Sequence, residues 1–225
     1  MKALENFIQK LEKSGQIELI KNRLKEFEQL FTNGSDEDIF LELLYCLLTA
    51  QTSFYRALNA VQQVKDRSIS FYDPESIRSV LKENSIRFYN NKTMYIIEAS
   101  SNMKGIKKLL SSFDAEFEKR EWLVKNIKGF GYKEATHFLR NIGFAKSLAI
   151  LDRHIIRMLH NFDYISEIIF PSTCSKYKNL EEIFLTFAKD LALEPDIADF
   201  VLFAYSKANN GTNADEVFSV LKELK

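Results

Sequence analysis

Apolar residues along this chain recur at three- and four-residue intervals almost from end to end, and nowhere do they alternate for long with polar ones. That is the period of an α-helix with one buried face, not of a strand. Two amphipathic segments cover roughly Leu4 to Phe31 and stop at the Asn33-Gly34 turn. Ser35, followed by Asp36, Glu37 and Asp38, then supplies a cap and first-turn acids for a helix. Its apolar positions Ile39, Phe40, Leu43, Leu44, Leu47 and Leu48 form a single stripe. Asp73-Pro74-Glu75 is another start signal, with Asp at the cap and Pro in the first turn; Ile77, Val80 and Leu81 follow at helical spacing. Segments around Ile96, Leu109 and Phe117, and those from Ile183 to Leu193 and Ile197 to Tyr205, read the same way. Asn209-Asn210-Gly211-Thr212-Asn213 reads as a loop, and Ala214 to Lys225 as one more short amphipathic helix. There is no internal repeat and no low-complexity linker, and the expected fold class is all-α.

Composition changes this picture little. A chain of 225 residues can bury one sizeable core or form two lobes sharing a cleft. Hydrophobic residues make up 46% and charged residues 28%, which is globular rather than disordered composition, and only 7 Gly and 3 Pro suit a helical chain. Charges are spread through the first dozen residues from Met1, and no stretch approaches the roughly 18 apolar residues of a membrane span, so neither a secretory signal nor a membrane segment is expected. Two cysteines, Cys46 and Cys174, build neither a disulfide framework nor a four-thiolate cluster. Cys46 sits within an apolar helix and reads as a buried thiol. A reducing, cytoplasmic compartment fits best.

The net charge is zero, but its distribution is uneven. Between Lys119 and Arg157 nine basic residues (Lys119, Arg120, Lys125, Lys128, Lys133, Arg140, Lys146, Arg153, Arg157) face only Glu121, Glu134 and Asp152, a local excess of six. All three histidines, His137, His154 and His160, fall in the same stretch. A basic segment on a neutral protein suits a local footprint for phosphates. A solvated helix face would look the same, and charge alone leaves both readings open. His154 and His160 are six residues apart, on different helix faces, with no cysteine close by, so a zinc site is not expected.

The segment that carries chemistry is Leu123-Val124-Lys125-Asn126-Ile127-Lys128-Gly129-Phe130-Gly131-Tyr132-Lys133-Glu134-Ala135. An apolar helix ends near Ile127, a Gly-x-Gly hairpin follows, and a second helix begins near Tyr132. Two glycines one residue apart let the backbone turn tightly and approach something closely. The N–H groups of such a turn, with the N-terminus of the next helix, can hold a phosphate without reading sequence. A plain helix–helix turn is the alternative. Lys133 stands in the first turn of the second helix, where the positive helix end disfavours its ammonium. Placed so poorly for stability, it calls for another explanation. Partial desolvation there would also lower the amine's pKa and make it more nucleophilic. Asp152, in Ile150-Leu151-Asp152-Arg153-His154, is a lone acid at the start of the next helix, nineteen residues on. That separation lets one helix run away and the chain return, so Lys133 and Asp152 can face each other across a cleft. An N-cap Asp and a surface Lys are the alternative.

The Lys-Gly-Phe-Gly-Tyr-Lys hairpin, followed by Leu-Asp-Arg-His, resembles the helix–hairpin–helix DNA glycosylase superfamily. Within it, three further blocks resemble the archaeal-type 8-oxoguanine DNA glycosylase/lyase family: Cys46-Leu47-Leu48-Thr49-Ala50-Gln51-Thr52-Ser53-Phe54, Arg87-Phe88-Tyr89-Asn90, and Lys133-Glu134-Ala135-Thr136-His137-Phe138-Leu139-Arg140-Asn141. The blocks run in the same order from about Asp38 to Tyr205.

The resemblance implies that Lys133 is a Schiff-base nucleophile attacking the deoxyribose, and that Asp152 stabilises positive charge developing on the sugar. It implies phosphate contacts for the N–H groups of Gly129 and Gly131 and for His154, and a gap-filling role for Gln51. His137, Phe203 and Phe88 become candidate walls of the slot for the flipped base, Phe203 standing where the family often carries Trp. Backbone carbonyls of Lys125, Ile127 and Phe130 would hold a monovalent K+ or Na+; no other cofactor is implied. The expected partner is double-stranded DNA with a damaged base, bound by a monomer. Relatives of this type tend to end soon after the segment matching Asp199 to Tyr205, whereas this chain runs on to Lys225.

The expected architecture is two helical lobes flanking a DNA-binding cleft: about 36–144, a helical barrel carrying the hairpin 123–141, and about 1–35 plus 145–225. Endonuclease III-like enzymes acting on oxidised pyrimidines share the hairpin, the Lys and the Asp; they usually carry a four-cysteine iron–sulfur cluster that two cysteines cannot form, so an oxidised-pyrimidine glycosylase/lyase without the cluster is the alternative enzyme. Adenine-removing relatives lack the Lys. A non-catalytic helix–hairpin–helix DNA-binding module remains the alternative from another class.

Overall fold

The computed structural model describes residues 1–209; the helix expected from Ala214 onward lies outside them. Twelve helices and no strand occur among the described residues: α1 (Lys2–Lys13), α2 (Gln16–Asn33), α3 (Asp36–Thr49), α4 (Phe54–Asp66), α5 (Pro74–Glu83), α6 (Tyr89–Ser100), α7 (Ile106–Ser111), α8 (Glu116–Asn126), α9 (Tyr132–Asn141), α10 (Arg153–Asn161), α11 (Cys174–Asp190) and α12 (Pro195–Asn209). The chain is all-α. Among these helices none is long and apolar enough to cross a membrane.

Local chemistry explains where the helices begin. Ser35 Oγ accepts the Asp38 N–H at 3.1 Å, while Asp38 Oδ2 receives the Ser35 N–H at 2.9 Å, a reciprocal cap that satisfies two otherwise orphan donors. Asp73 accepts from the N–H groups of Glu75 and Ser76 with Pro74 in the first turn, so α5 starts where the sequence predicts.

The chain forms two compact units, one of Met1–Glu28 with the segment from Gly143 onward, the other of Gln29–Ile142. In the second unit α3 is central: its residues from Ile39 to Leu48, Glu42 apart, are buried, and α4, α6, α7 and α9 pack around it. Burying a large aliphatic or aromatic side chain contributes about 2 kcal/mol, so α3 contributes strongly to the core of this unit. Asp36 ties α7 to it, accepting the N–H groups of Gly105 at 2.7 Å and Lys107 at 3.1 Å. In the first unit, α12 buries Ile197, Ala198, Val201, Leu202 and Ala204 against α1, α10 and α11.

Candidate active site

The hairpin between α8 and α9 is held from both sides. Ile127 and Phe130 are buried, and the Phe130 N–H donates to the Ile127 carbonyl at 3.1 Å. The two glycines do different things. Gly129 has φ +90°, and a Cβ there would stand 2.6 Å from Tyr95 Cδ2, so both its backbone and its neighbour demand glycine. Gly131, at φ −98° and ψ −174°, is extended backbone open to any residue. Its N–H donates to Glu134 Oε2 at 3.3 Å, so a phosphate at this amide must share it with a carboxylate. The Ile127 carbonyl retains a second lone pair, which suits it to a weakly bound cation.

Lys133 follows in the first turn of α9 and is partly buried. Within its own unit it has no hydrogen-bonded or ion-paired partner. Its positive charge is nevertheless felt by its neighbours: it helps to hold the His137 imidazole well below its usual pKa, behind burial as the first cause and ahead of Arg140. His137 lies one turn further on, edge-on to Tyr45 at 5.9 Å, with Nδ1 buried and unpartnered. Burial pushes the Cys46 thiol well up, and Glu42 adds to the effect, so this cysteine is an inert core residue.

Gln51 and Phe88 sit on two turns of the same unit, and each adopts the left-handed conformation that non-glycine residues rarely take, with φ of 55° and 57°. Both side chains are exposed. Phe88 is 54% exposed, and the Arg87 guanidinium lies 5.4 Å over its ring. Between the two turns lies the buried Lys92, whose Nζ donates to the carbonyls of Leu48 at 2.9 Å and Ala50 at 2.7 Å.

The other unit carries Asp152 at the N-cap of α10. Its Oδ1 accepts the N–H groups of His154 at 2.7 Å and Ile155 at 2.9 Å, and Oδ2 has no partner among the described residues of this unit. Two residues one turn apart on α11 grip the extended lead into Asp152. Glu181 Oε1 accepts the Ala149 N–H at 2.7 Å. The Tyr177 hydroxyl accepts from the Leu151 N–H at 3.1 Å and donates to the Ala149 carbonyl at 2.7 Å. His154 Nδ1 lies 2.9 Å from Ser206 Oγ, and its ring stands edge-on to Phe203 at 5.4 Å. Burial lowers the His154 pKa, with Asp152 opposing and Lys207 adding to the fall. Lys207 Nζ is 5.3 Å from the Phe203 ring centre. Asp152, His154 and Phe203 thus form one cluster in the first unit, while Lys133, His137, Gln51 and Phe88 belong to the second.

The basic stretch is a smaller footprint than its charge count implies. Lys119, Arg120 and Arg140 are buried: Lys119 donates to the Phe113 carbonyl, Arg120 to Thr136 Oγ1 at 3.3 Å, and Arg140 to Asn141 at 3.0 Å. Lys128 and Lys146 are exposed but paired with Glu98 and Glu28. Besides the partly buried Lys133, that leaves Lys125, Arg153 and Arg157, exposed and without an ion-pair partner among the described residues. Among the described residues no group of three or more His, Cys, Asp or Glu side chains is arranged to hold a metal ion.

Sequence reading missed Lys92, Glu134, Tyr177 and Glu181. A signal existed for three of them: Lys92 lies four residues before the buried Ile96 on α6, and Tyr177 and Glu181 share one face of α11 with Phe184 and Ala188. Polar side chains on an apolar stripe need partners. The capping role of Glu134 was hidden because glycine replaces the usual Ser or Thr three residues earlier.

The family model of 8-oxoguanine DNA glycosylase matches residues 20–193. An 8-oxoguanine DNA glycosylase/AP lyase of Fusobacterium nucleatum is 38% identical over 188 residues, covering 81% of this chain and 86% of the relative. One from Methanocaldococcus jannaschii is 41% identical over 174 residues, covering 77% and 81%. The crystal structure of the Methanocaldococcus jannaschii 8-oxoguanine glycosylase/lyase in complex with a 15mer DNA containing 8-oxoguanine superposes with a TM-score of 0.83 at 33% identity, over 94% of this chain and 99% of that one. The chain belongs to the 8-oxoguanine DNA glycosylase family, with the helix–hairpin–helix formed by α8 and α9.

Proposed function

We propose that this protein is an 8-oxoguanine DNA glycosylase/AP lyase, acting on double-stranded DNA, with Lys133 as its nucleophile. The observation that carries the assignment is Lys133 itself: a partly buried amine, directly after the hairpin, with no acidic partner in its unit. The Lys133 amine attacks C1′ of the damaged nucleotide, the bond from C1′ to the base breaks, and the base leaves with a proton. Ring opening then gives an imine between Nζ and C1′. Loss of a C2′ proton expels the 3′ phosphate by β-elimination and cuts the strand. Asp152, through the free Oδ2, stabilises positive charge on the sugar in the transition state. Preorganised electrostatics of this kind gives about a hundredfold or more in rate.

The remaining roles extend the same reading. The Gly129 and Gly131 amides, with His154, hold phosphates. Gln51 fills the gap left by the flipped nucleotide, and unstacking that base costs a few kcal/mol. His137, Phe203 and Phe88 are the candidate contacts to the extruded base. Carbonyls of Lys125, Ile127 and Phe130 would hold a K+ or Na+, which would steady the hairpin. The enzyme works as a monomer in the cytoplasm, at the nucleoid.

Borohydride trapping on an 8-oxoguanine duplex tests the chemistry. We expect a covalent complex with the wild type and none with Lys133→Gln. The variant should fold as well as the wild type, because removing a cation from the first turn of a helix gains a few tenths of a kcal/mol. A trapped complex of undiminished yield in Lys133→Gln would overturn the assignment. Release of thymine glycol but not 8-oxoguanine would instead favour an endonuclease III-like substrate range.

A further inference from the structure

Gln51 and Phe88 lie 37 positions apart in the chain, yet one side chain serves both turns. Besides its two carbonyl contacts, Lys92 Nζ donates to Thr52 Oγ1 at 3.3 Å. That same hydroxyl accepts the Arg87 N–H at 3.3 Å, and the Lys92 backbone N–H donates to the Phe88 carbonyl at 3.0 Å. The carbonyls that Lys92 caps belong to the last turn of α3 and its cap, where orphan acceptors collect and a cation is favoured. Gln51 sits between the Ala50 carbonyl and the Thr52 hydroxyl that Lys92 holds, in a left-handed conformation that is strained for a non-glycine residue. Such a conformation persists only when its surroundings impose it.

We infer that Lys92 is a positioning residue for base extrusion: its ammonium clamps the turn that presents Gln51 and links it through Thr52 to the turn that presents Phe88. The inference rests on the gap-filling reading of Gln51. Lys92 is 5% exposed, and a lysine buried at this depth is costly unless its donors are matched. Burial brings its pKa down to about 8, with Glu134 opposing and Arg87 and Lys133 adding to the fall. Lys92 reaches no base or sugar in this role. Its effect on the reaction passes through Gln51.

The test separates base extrusion from the chemistry at the sugar. Base excision from an 8-oxoguanine duplex requires the gap to be filled, whereas strand cleavage at a preformed abasic site in single-stranded DNA does not. Both need Lys133, so their ratio removes any change in the nucleophile. Single-turnover rates on both substrates are measured for Gln51→Ala, Lys92→Met, Thr52→Val and the double variant Gln51→Ala/Lys92→Met. We expect the ratio to fall about tenfold in Lys92→Met and about threefold in Thr52→Val. In the Gln51→Ala background, Lys92→Met should produce no further fall, because residues acting as one unit are not additive. Full additivity of the two variants, or a Lys92→Met ratio within twofold of wild type beside a lowered Gln51→Ala ratio, would overturn the inference and leave the Gln51 reading intact. A wild-type ratio in Gln51→Ala would overturn that reading and the inference with it. If Lys92→Met does not fold, Thr52→Val decides by the same ratio.

Discussion

Asp152 Oδ1 receives the His154 N–H at 2.7 Å, so the residue proposed for catalysis also begins the helix that carries its neighbour. Capping uses one oxygen of the carboxylate and leaves the other for the proposed role at the sugar. The two functions separate by substitution. Asparagine caps a helix about as well as aspartate but carries no charge, whereas alanine loses both properties and costs about 1 kcal/mol at a cap. Asp152→Asn should therefore unfold like the wild type yet excise 8-oxoguanine about a hundredfold more slowly. Asp152→Ala should be equally slow and less stable by about 1 kcal/mol. Denaturant unfolding and single-turnover excision check both. Near-normal excision by Asp152→Asn would remove the charge from the mechanism.

The two hairpin glycines should not be equivalent. Gly129 has φ +90° and touches the Tyr95 ring, while Gly131 is extended and meets only the end of Glu134. Alanine at 129 pays the left-handed penalty of about 1–2 kcal/mol and must also push Tyr95 aside. Alanine at 131 replaces a glycine N-cap, worth some tenths of a kcal/mol to about 1. Gly129→Ala is expected to lose about 2 kcal/mol of stability and to weaken duplex binding clearly. Gly131→Ala should lose less than half as much stability. Denaturation midpoints and DNA titration at fixed salt test this, and equal losses would contradict the geometry.

What was legible in the chain was local. Ser35, Asp73 and Asp152 announce helix starts because a cap is made within three residues of itself, and a Gly-rich break between two amphipathic runs marks the hairpin. Family-specific blocks around Gln51, Lys133 and Asp152 carried the activity class. What was not legible depends on contacts far apart in sequence. Lys92 reaches Ala50 across 42 positions, and Glu181 reaches Ala149 across 32. Burial of Lys119, Arg120 and Arg140 is also a tertiary outcome, which is why counting charges along the chain overstated the surface available to phosphates.

His137 supplies a prediction about pH. In the fold its imidazole is held well below the ordinary value of 6.5, mainly by burial and further by Lys133 and Arg140. In the unfolded chain it regains that ordinary value. Below about pH 6.5 the unfolded chain therefore binds a proton that the native state refuses, and stability falls as pH falls. Above that value neither state is protonated, and the group contributes no slope. One proton corresponds to at most about 1.4 kcal/mol per pH unit. The stability of the wild type relative to His137→Gln should be constant from pH 7 to 8 and should decline progressively from pH 6.5 to 5. Urea unfolding of both proteins at half-unit intervals measures the difference directly. Curves that stay parallel down to pH 5 would mean that His137 accepts a proton in the native state, and the proposed slot beside Lys133 would then carry a second positive charge in acid.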